Sequence, residues 1–239
     1  MSLILRAVAA TDLGRGRENN EDTFHAGKRL IAVADGMGGL PAGEVASEIA
    51  IRVLARLESL PPDRPALDAL RETVAEANRE IGAAVAADPA LEGMGTTITA
   101  MLAQGDRIAL AHVGDSRAYA WRDGELIQLT KDDTYVQALV DKGAITPEQA
   151  SVHPHRSLVT KAVQGGDVIP AYTVLTPHEG DRFLLCSDGL TDVVGNAAIA
   201  GALREHADAQ ECATRLIRLA LDAGGPDNIT AVIADVAVE

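Results

Sequence analysis

The sequence predicts an α+β fold in which antiparallel sheets are covered by helices. Several short β-type segments follow one another through tight turns, and the long helical patterns are grouped instead of alternating with single strands. An alternating order would favour a parallel, doubly wound sheet, whereas strands joined by tight turns pair antiparallel. The chain has 239 residues, 47% of them hydrophobic, which suffices for a large core.

Two long amphipathic helices are predicted in the first half of the chain. Apolar residues recur near a period of 3.6 from Pro41 to Glu58, and again from Ala66 to Val85. Prolines separate the two segments, because proline interrupts a helix. A last helix is predicted over residues 208–222.

The stretch from Gly95 to Thr130 predicts an antiparallel meander. Its β-type segments are separated by Gly105-Asp106, by the sequence GDS at 114–116 and by Asp123-Gly124. An Asp-Gly pair between apolar segments is a strong signal of a hairpin turn. Further strands are predicted at 182–187 and 229–236.

Residues 134–168 differ from their surroundings, and we interpret them as a mobile flap beside the functional site. A short helical pattern opens the segment, and Thr146 followed by Pro147 is typical of a helix cap. His153 and His155 stand two apart in a Pro-containing loop, which favours a solvated segment over a metal-binding pair.

Composition excludes several classes of protein. The net charge of −14 and the 3% aromatic content argue against nucleic-acid binding, which needs a basic surface. Two cysteines provide neither a disulfide framework nor a structural zinc site. The N-terminus lacks the pattern of a signal peptide, and no apolar run is long enough to span a membrane. We therefore expect a soluble, cytoplasmic protein, with a monomer as the default.

Acidic residues stand where apolar runs stop or start. Three follow apolar runs and one precedes another run: Asp35, Asp115, Asp188 and Asp227. A single acid beside glycine is most often a turn residue. Several buried carboxylates together are costly without cations, and oxygen ligands without matching Cys or His favour Mg²⁺ or Mn²⁺.

The stretch RGRENNEDTF at 15–24 places one cation near two acids. On a single strand, alternation puts Arg17 and Glu21 on one face and Asp22 on the other. One interpretation is a solvated charged edge. The other is a guanidinium that binds a phosphate bidentately, beside a carboxylate that orients metal-bound water.

Six motifs together resemble one known family. RGRENNED, ADGMGG followed by GEVAS, GTTITA, HVGDSRAY, CSDGLTD and GGPDNITAV occur in the order seen in the PP2C family of metal-dependent Ser/Thr protein phosphatases. The chain resembles most the compact bacterial members, over residues 6–236. The resemblance implies a single catalytic domain over 1–239, folded as a central β-sandwich flanked by helices on both sides.

The resemblance also implies two core Mn²⁺ or Mg²⁺ ions. Asp35 would bridge them, with the carbonyl oxygen of Gly36 binding one ion. Asp188 and Asp227 would complete the ligands of one ion. The other ion would be contacted, directly or through water, by Asp22 and Glu21.

A weaker third ion is implied at Asp115 with Asp188, and Ser157 of the flap would approach it. Arg17 would bind the substrate phosphate. Hydrolysis of phosphoserine and phosphothreonine would then proceed by attack of a metal-bridging water, with no phosphoenzyme. Arg17, Asp35 and Asp188 would be the catalytic residues. Eukaryotic members often have His where this chain has Met37, and Met cannot donate a proton, so no general acid is assigned.

Phosphorylated proteins are the implied partners, together with a Ser/Thr kinase whose action the enzyme would oppose. Two alternatives stay open. A non-catalytic module of the same fold would be expected to lose metal ligands, yet Asp35, Asp188 and Asp227 are all present. A metal-dependent hydrolase of small phosphoesters would use the same cations.

Overall fold

We describe a computed structural model of the chain, which covers residues 3–38, 42–59, 61 and 63–238. The strands are β1 (Leu3–Asp12), β2 (Asp22–Ala26), β3 (Leu30–Met37), β4 (Gly95–Thr96), β5 (Ile98–Gln104), β6 (Arg107–Val113), β7 (Arg117–Arg122), β8 (Glu125–Gln128), β9 (Ala171–Leu175), β10 (Arg182–Cys186) and β11 (Ile229–Val238). The helices are α1 (Ala42–Leu54), α2 (Ala66–Ala87), α3 (Tyr135–Asp141), α4 (Pro147–Ser151), α5 (Asp188–Thr191), α6 (Asn196–Glu205) and α7 (Ala209–Asp222).

The predicted long helices are confirmed as α1, α2 and α7. Pro41, the predicted first residue of α1, lies outside the described residues. The amide of Glu211 donates to the Asp208 carboxylate at 2.8 Å, so Asp208 caps the N-terminus of α7. No described helix has both the length and the apolar character needed to cross a membrane.

In the described residues, the strands form two antiparallel sheets packed face to face. One has the order β1-β11-β10-β7-β8, and the other has the order β2-β3-β5-β6-β9, with β4 paired to β3. The space between the sheets is filled by residues such as Val33, Leu110 and Val232. The predicted sandwich is therefore confirmed.

Each sheet buries its second face under helices. On β3, Leu30, Ala32 and Ala34 pack under α1 and α2, while the alternate residues face the opposite sheet. On β11, Ile229 and Ala231 pack under the helices of the other layer, α5 to α7. These strands read as continuous apolar runs because both of their faces are buried.

The predicted single meander over 95–130 is wrong at one point. The pairs β5–β6 and β7–β8 are antiparallel hairpins as expected, but they belong to different sheets. The chain crosses between the sheets at residues 114–116, and this crossing carries Asp115 to the end of the sandwich. A turn motif in the sequence does not show whether the two strands that it joins pair with each other or belong to different sheets. The pairing also depends on strands that are distant in the sequence.

The prediction that residues 15–24 form one strand is also wrong. Residues 13–21 are a loop, and β2 begins at Asp22. The Asn228 side chain holds this loop: its amide donates to the carbonyl oxygens of Leu13 and Asn19, and its Oδ1 accepts from the Glu21 amide. Arg17 therefore projects from a loop that is fixed by side-chain bonds and not by sheet pairing.

The segment 134–168 contains α3 and α4 and lies between β8 and β9. Isolated bridges join Thr134 to Val159 and Thr96 to Val163. Thr146 caps α4 through a capping box with Gln149, and Pro147 takes the first helical position, as predicted. The first bridge closes the segment on itself, and the second joins its later part to β4 of the sandwich.

Candidate active site

One cavity of about 440 Å³ receives most of the predicted site residues. It lies at the end of the sandwich, where β3 ends, β6 crosses to β7, β10 runs into α5 and β11 begins. Its lining includes Arg17, Glu21, Asp35, Gly36, Asp115, Ser157, Asp188 and Asp227. The cavity thus brings together acids that are up to 206 positions apart in the sequence, Glu21 and Asp227.

Asp35 and Asp188 lie at the floor of this cavity. Each keeps part of its surface open to the cavity, but protein atoms surround both carboxylates. Burial, and then the neighbouring acids, raise the pKa of Asp35 and of Asp188 well above its ordinary value. A site that concentrates acids in this way favours a cation that would offset their repulsion.

Asp22 lies behind the cavity lining and is buried. Its Oδ2 accepts a hydrogen bond from the Ser187 hydroxyl at 2.7 Å, and its Oδ1 is buried without a hydrogen-bond partner among the described residues. Burial raises the pKa of Asp22 to about 6, although the bond from Ser187 lowers it. A buried carboxylate oxygen without a partner is costly, so this oxygen is suited to bind a cation or its water.

Glu21 is buried with 5% of its surface exposed, and Asn19 Nδ2 lies 3.4 Å from its Oε1. Glu21 and Asp22 therefore reach the site from the end of the loop and the start of β2.

Gly36 allows the backbone to approach closely beside Asp35. A Cβ at this position would lie 2.1 Å from the carbonyl oxygen of Gly43 and 2.8 Å from that of Glu21. Only glycine fits this contact, which keeps the end of β3 against the start of α1. The predicted role of the Gly36 carbonyl as a metal ligand agrees with its place in the cavity lining.

Arg17 Nη2 donates a hydrogen bond to Asp227 Oδ2 at 2.7 Å. Partial burial lowers the pKa of Arg17, but the bond to Asp227 and the charges of Glu21 and Asp35 outweigh it and raise the pKa overall. The guanidinium is about half exposed, at 46%, and lines the cavity. It is the positive group among the cavity acids, placed where an anion could reach it.

Asp115 and Ser157 lie on the flap side of the cavity. Burial, with the charge of Asp132 next, raises the pKa of Asp115 to about 7. The Ser157 hydroxyl donates to Asp192 Oδ2 at 3.1 Å. Ser157 and Asp115 both line the cavity, as predicted for a third site, but Ser157 makes its hydrogen bond to another acid.

Asp192 was missed by the sequence analysis as a site residue. It stands four residues after Asp188, which is one helical turn, so both carboxylates lie on one face of the turn. The charge of Asp192 contributes to the raised pKa of Asp188. The spacing D-x3-D in SDGLTD could have revealed it.

Ser187 and Asn228 were also missed, although both adjoin predicted ligands in the motifs CSDG and PDN. Ser187 Oγ donates to Asp22 and accepts from the Thr230 amide at 3.0 Å. Asn228 fixes the Arg17 loop, as described above. Both act by holding site residues in place, a role that depends on contacts over long sequence separations.

The donor set fits hard divalent cations. It consists of carboxylate and backbone oxygens, the ligands that Mg²⁺ and Mn²⁺ prefer. Among the described residues, no three His, Cys, Asp or Glu side chains already converge as a ligand group around one point. Mg²⁺ keeps several waters and commonly uses one or two carboxylates, so acids distributed around a cavity suit it. The unpaired Asp22 oxygen supports the same fit.

The comparison with known families decides the classification. A sequence model described as Protein phosphatase 2C matches residues 14–231. The chain belongs to the protein phosphatase 2C family. The resemblance that the motifs suggested is therefore confirmed, and solved protein phosphatases of this type share the fold of this chain.

Individual members of the family are similar over almost the whole chain. The Ser/Thr protein phosphatase PstP of Mycobacterium tuberculosis is 53% identical over 236 residues, 99% of this chain. The Ser/Thr phosphatase stp of Listeria monocytogenes is 35% identical over 241 residues, which cover 97% of this chain and 96% of that protein. This chain spans about half of the length of PstP, 46%.

A solved structure of the PstP catalytic domain, in complex with two manganese ions, has a TM-score of 0.93 with this chain. The two are 51% identical, and the match covers 99% of this chain and 100% of that domain. The protein phosphatase 2C fold is thus established for this chain at high identity.

Proposed function

We propose that this chain hydrolyses phosphoserine and phosphothreonine in proteins with the help of Mn²⁺ or Mg²⁺. The observation that carries the proposal is the meeting of Arg17 with Asp35, Asp188 and Asp227 in one cavity. Hydrolysis of a phosphate ester requires carboxylates that bind metal cations and a positively charged side chain that binds the phosphate. The similar proteins PstP and stp are Ser/Thr phosphatases, which supports this class of substrate.

Asp35, Asp188 and Asp227, with the Gly36 carbonyl, would hold two core cations. Asp22 and Glu21 would act directly or through water, and Asp115 would hold a third, weaker ion with Asp188. When bound, such cations lower the pKa of a water and offset the charge of a phosphate, so that hydrolysis needs no phosphoenzyme.

Arg17 would bind two phosphate oxygens through its planar guanidinium. The guanidinium contacts Asp227, so from the same loop position it would reach both the carboxylate and the phosphate. The Asn228 bonds fix the loop, which limits the freedom lost when substrate binds. Arg17 thereby orients the phosphorus toward the acids on the cavity floor.

Position 37 provides no side chain that could donate a proton to the leaving alkoxide. Met37 lines the cavity and carries no acidic proton. A serine or threonine alkoxide needs a proton as it departs. We therefore assign positioning and charge, and not general acid catalysis, to the residues around the phosphate.

We infer one catalytic unit over the chain, with 134–168 as its flap, because both sheets share one central apolar layer. A monomer is the default. By resemblance to the bacterial members, the enzyme would oppose a Ser/Thr kinase, with the kinase and its targets as partners.

The test uses a phosphothreonine peptide and purified protein. Turnover should appear with Mn²⁺ and stop with EDTA, and Asp35→Asn should lose several orders of magnitude in kcat/KM. Asp123→Asn is the matched control, since Asp123 is an exposed turn residue with φ 52°, a conformation that asparagine tolerates. Binding of a phosphopeptide without any turnover would replace the enzyme by a non-catalytic module, and turnover of small phosphoesters alone would change the substrate class.

A further inference from the structure

A second cavity of about 540 Å³ adjoins the candidate active site. Met37 and Val159 line both cavities, so the two are continuous. The apolar side chains of the second cavity are Met37, Val159, Ala162, Val168 and Ile169. We call this cavity the apolar groove.

The apolar lining is exposed in part: Val168 packs against the core under α1 and α2, whereas Ile169 projects from the surface. Ile169 is 83% exposed, and Leu158, beside the groove, is 53% exposed. Scattered apolar residues on a surface need no explanation, but a contiguous set beside a reaction site indicates binding. Met37 suits such a wall because its flexible thioether adapts to different side chains.

Four polar side chains also line the groove, Thr160, Lys161, Gln164 and Asp167, and the first two are bonded to Asp133. Lys161 Nζ pairs with Asp133 Oδ1 at 2.5 Å, and the Thr160 hydroxyl donates to the Asp133 carbonyl oxygen at 2.9 Å. The charge of Lys161 is therefore partly offset, so that the five apolar side chains share the groove mainly with Gln164 and Asp167.

The wall is fixed before any ligand binds. Val163 and Thr96 exchange two backbone hydrogen bonds of 2.9 and 3.1 Å. At the rim, the Asn78 side chain accepts from the Gly165 amide and donates to the Gly166 carbonyl oxygen. A preformed groove avoids the entropy cost of ordering a loop during binding.

We propose that the apolar groove binds an apolar side chain of the substrate polypeptide, close in sequence to the phosphorylated residue. The inference rests on the proposed function, since a phosphate held by Arg17 places the neighbouring residues at the edge that the two cavities share. Substrates would then be preferred when an aliphatic or aromatic residue flanks the phosphoserine or phosphothreonine.

The experiment measures kcat/KM with Mn²⁺ for uncharged phosphothreonine peptides. A single leucine is placed in turn at each of the flanking positions, and alanine at the same position is the reference. We expect about a tenfold preference for leucine at one position, as the burial of its extra methyl and methylene groups predicts. Ile169→Ser should reduce this preference severalfold.

Val152→Ser is the matched control. Like Ile169, Val152 is an exposed β-branched residue, at 80%, but it lies elsewhere in the flap and does not line the groove. This variant should keep the leucine preference. The rate on p-nitrophenyl phosphate, which has no flanking residues, normalises each variant for intact chemistry, and thermal unfolding checks its fold.

Three results would overturn the inference but not the proposed function. The first is hydrolysis of p-nitrophenyl phosphate with no leucine preference at any peptide position. The others are an unchanged leucine preference in Ile169→Ser, or a loss of that preference in Val152→Ser as large as in Ile169→Ser. Absence of hydrolysis of p-nitrophenyl phosphate and of every peptide would instead overturn the proposed function, and the inference with it.

Discussion

Arg17 and Asp227 form an ion pair across the mouth of the candidate active site, with 2.7 Å between Nη2 and Oδ2. The pair joins the proposed phosphate ligand to a proposed metal ligand. A cation that takes the Asp227 oxygen would release the guanidinium toward an incoming phosphate. Occupation of the two sites would therefore be linked through one contact.

The first prediction concerns Arg17. Arg17→Ala should lower kcat/KM on a phosphothreonine peptide roughly a hundredfold, the scale seen when one preorganised donor to a transition-state oxyanion is removed. Inhibition by orthophosphate should weaken, while Mn²⁺ binding is retained because Asp227 loses a competitor. Arg15→Ala is the control, since Arg15 is exposed in the same loop and does not line the cavity. Unchanged orthophosphate inhibition in Arg17→Ala would contradict the assigned role.

The second prediction concerns the buried charge of Asp35. Because its pKa in the folded state is raised by burial and then by Asp22 and Asp188, its stabilising contribution is complete below the unfolded pKa and is lost as pH rises through the folded value. In EDTA at pH 7.5, Asp35→Asn should therefore have a higher Tm than the wild type. The increase should be about 2–4 °C for each kcal/mol of destabilising free energy that removal of the buried charge eliminates. Differential scanning calorimetry measures it.

Binding of Mn²⁺ should reverse the order of the two Tm values. Addition of Mn²⁺ should raise the Tm of the wild type, since binding to the folded state stabilises it, and should raise the Tm of Asp35→Asn much less. A lower Tm of Asp35→Asn in EDTA would show that the carboxylate stabilises the metal-free fold.

The third prediction concerns His112, which is buried in β6. Its Nε2 lies 3.0 Å from the Lys131 carbonyl oxygen and its Nδ1 lies 3.0 Å from the Thr99 hydroxyl. Burial lowers the pKa of His112, against the opposing charge of Asp133. The unfolded chain then takes up a proton below about pH 6.5 before the folded chain does, so stability is lost as pH falls from about 6.5 toward the lowered folded value.

Urea unfolding at pH 7.5, 6.5 and 5.5 tests this prediction. His112→Gln should show a smaller loss of unfolding free energy on acidification than the wild type, by up to about 1.4 kcal/mol per pH unit. His178→Gln removes an exposed histidine and should follow the wild type. Parallel pH profiles for His112→Gln and the wild type would refute the assignment.

The fourth prediction concerns Asp115. Asp115→Ala should remove one weak Mn²⁺ site and keep two tighter ones, because the acids whose charges most raise the pKa of Asp115 are Asp132 and Asp192, neither of which is a proposed core ligand. Isothermal titration with Mn²⁺ gives the number of sites. Ser157→Ala separates the roles, since Ser157 donates to Asp192 and should affect the weak site less than Asp115 does. Loss of all Mn²⁺ binding in Asp115→Ala would place Asp115 among the core ligands instead.

The sequence predicted the elements whose signals are local. The apolar period of 3.6 located α1, α2 and α7, the pair Asp123-Gly124 located the β7–β8 hairpin, and Thr146-Pro147 located the cap of α4. These features depend on residues a few positions apart, so a single chain contains the needed information. The ordered motifs also identified the family, and most of the acids predicted with it line one cavity.

The tertiary structure determined the relations between residues that are distant in the sequence. The crossing at 114–116 separates β6 from β7 into different sheets, the loop of Arg17 is held by Asn228, and Asp192 and Ser187 join the site. The apolar groove likewise forms where Met37 of β3 meets the flap. Acids at the ends of apolar runs could be read from the sequence alone, but pairing, burial and repulsion between them arise only when the two sheets stack and bring those ends to one edge.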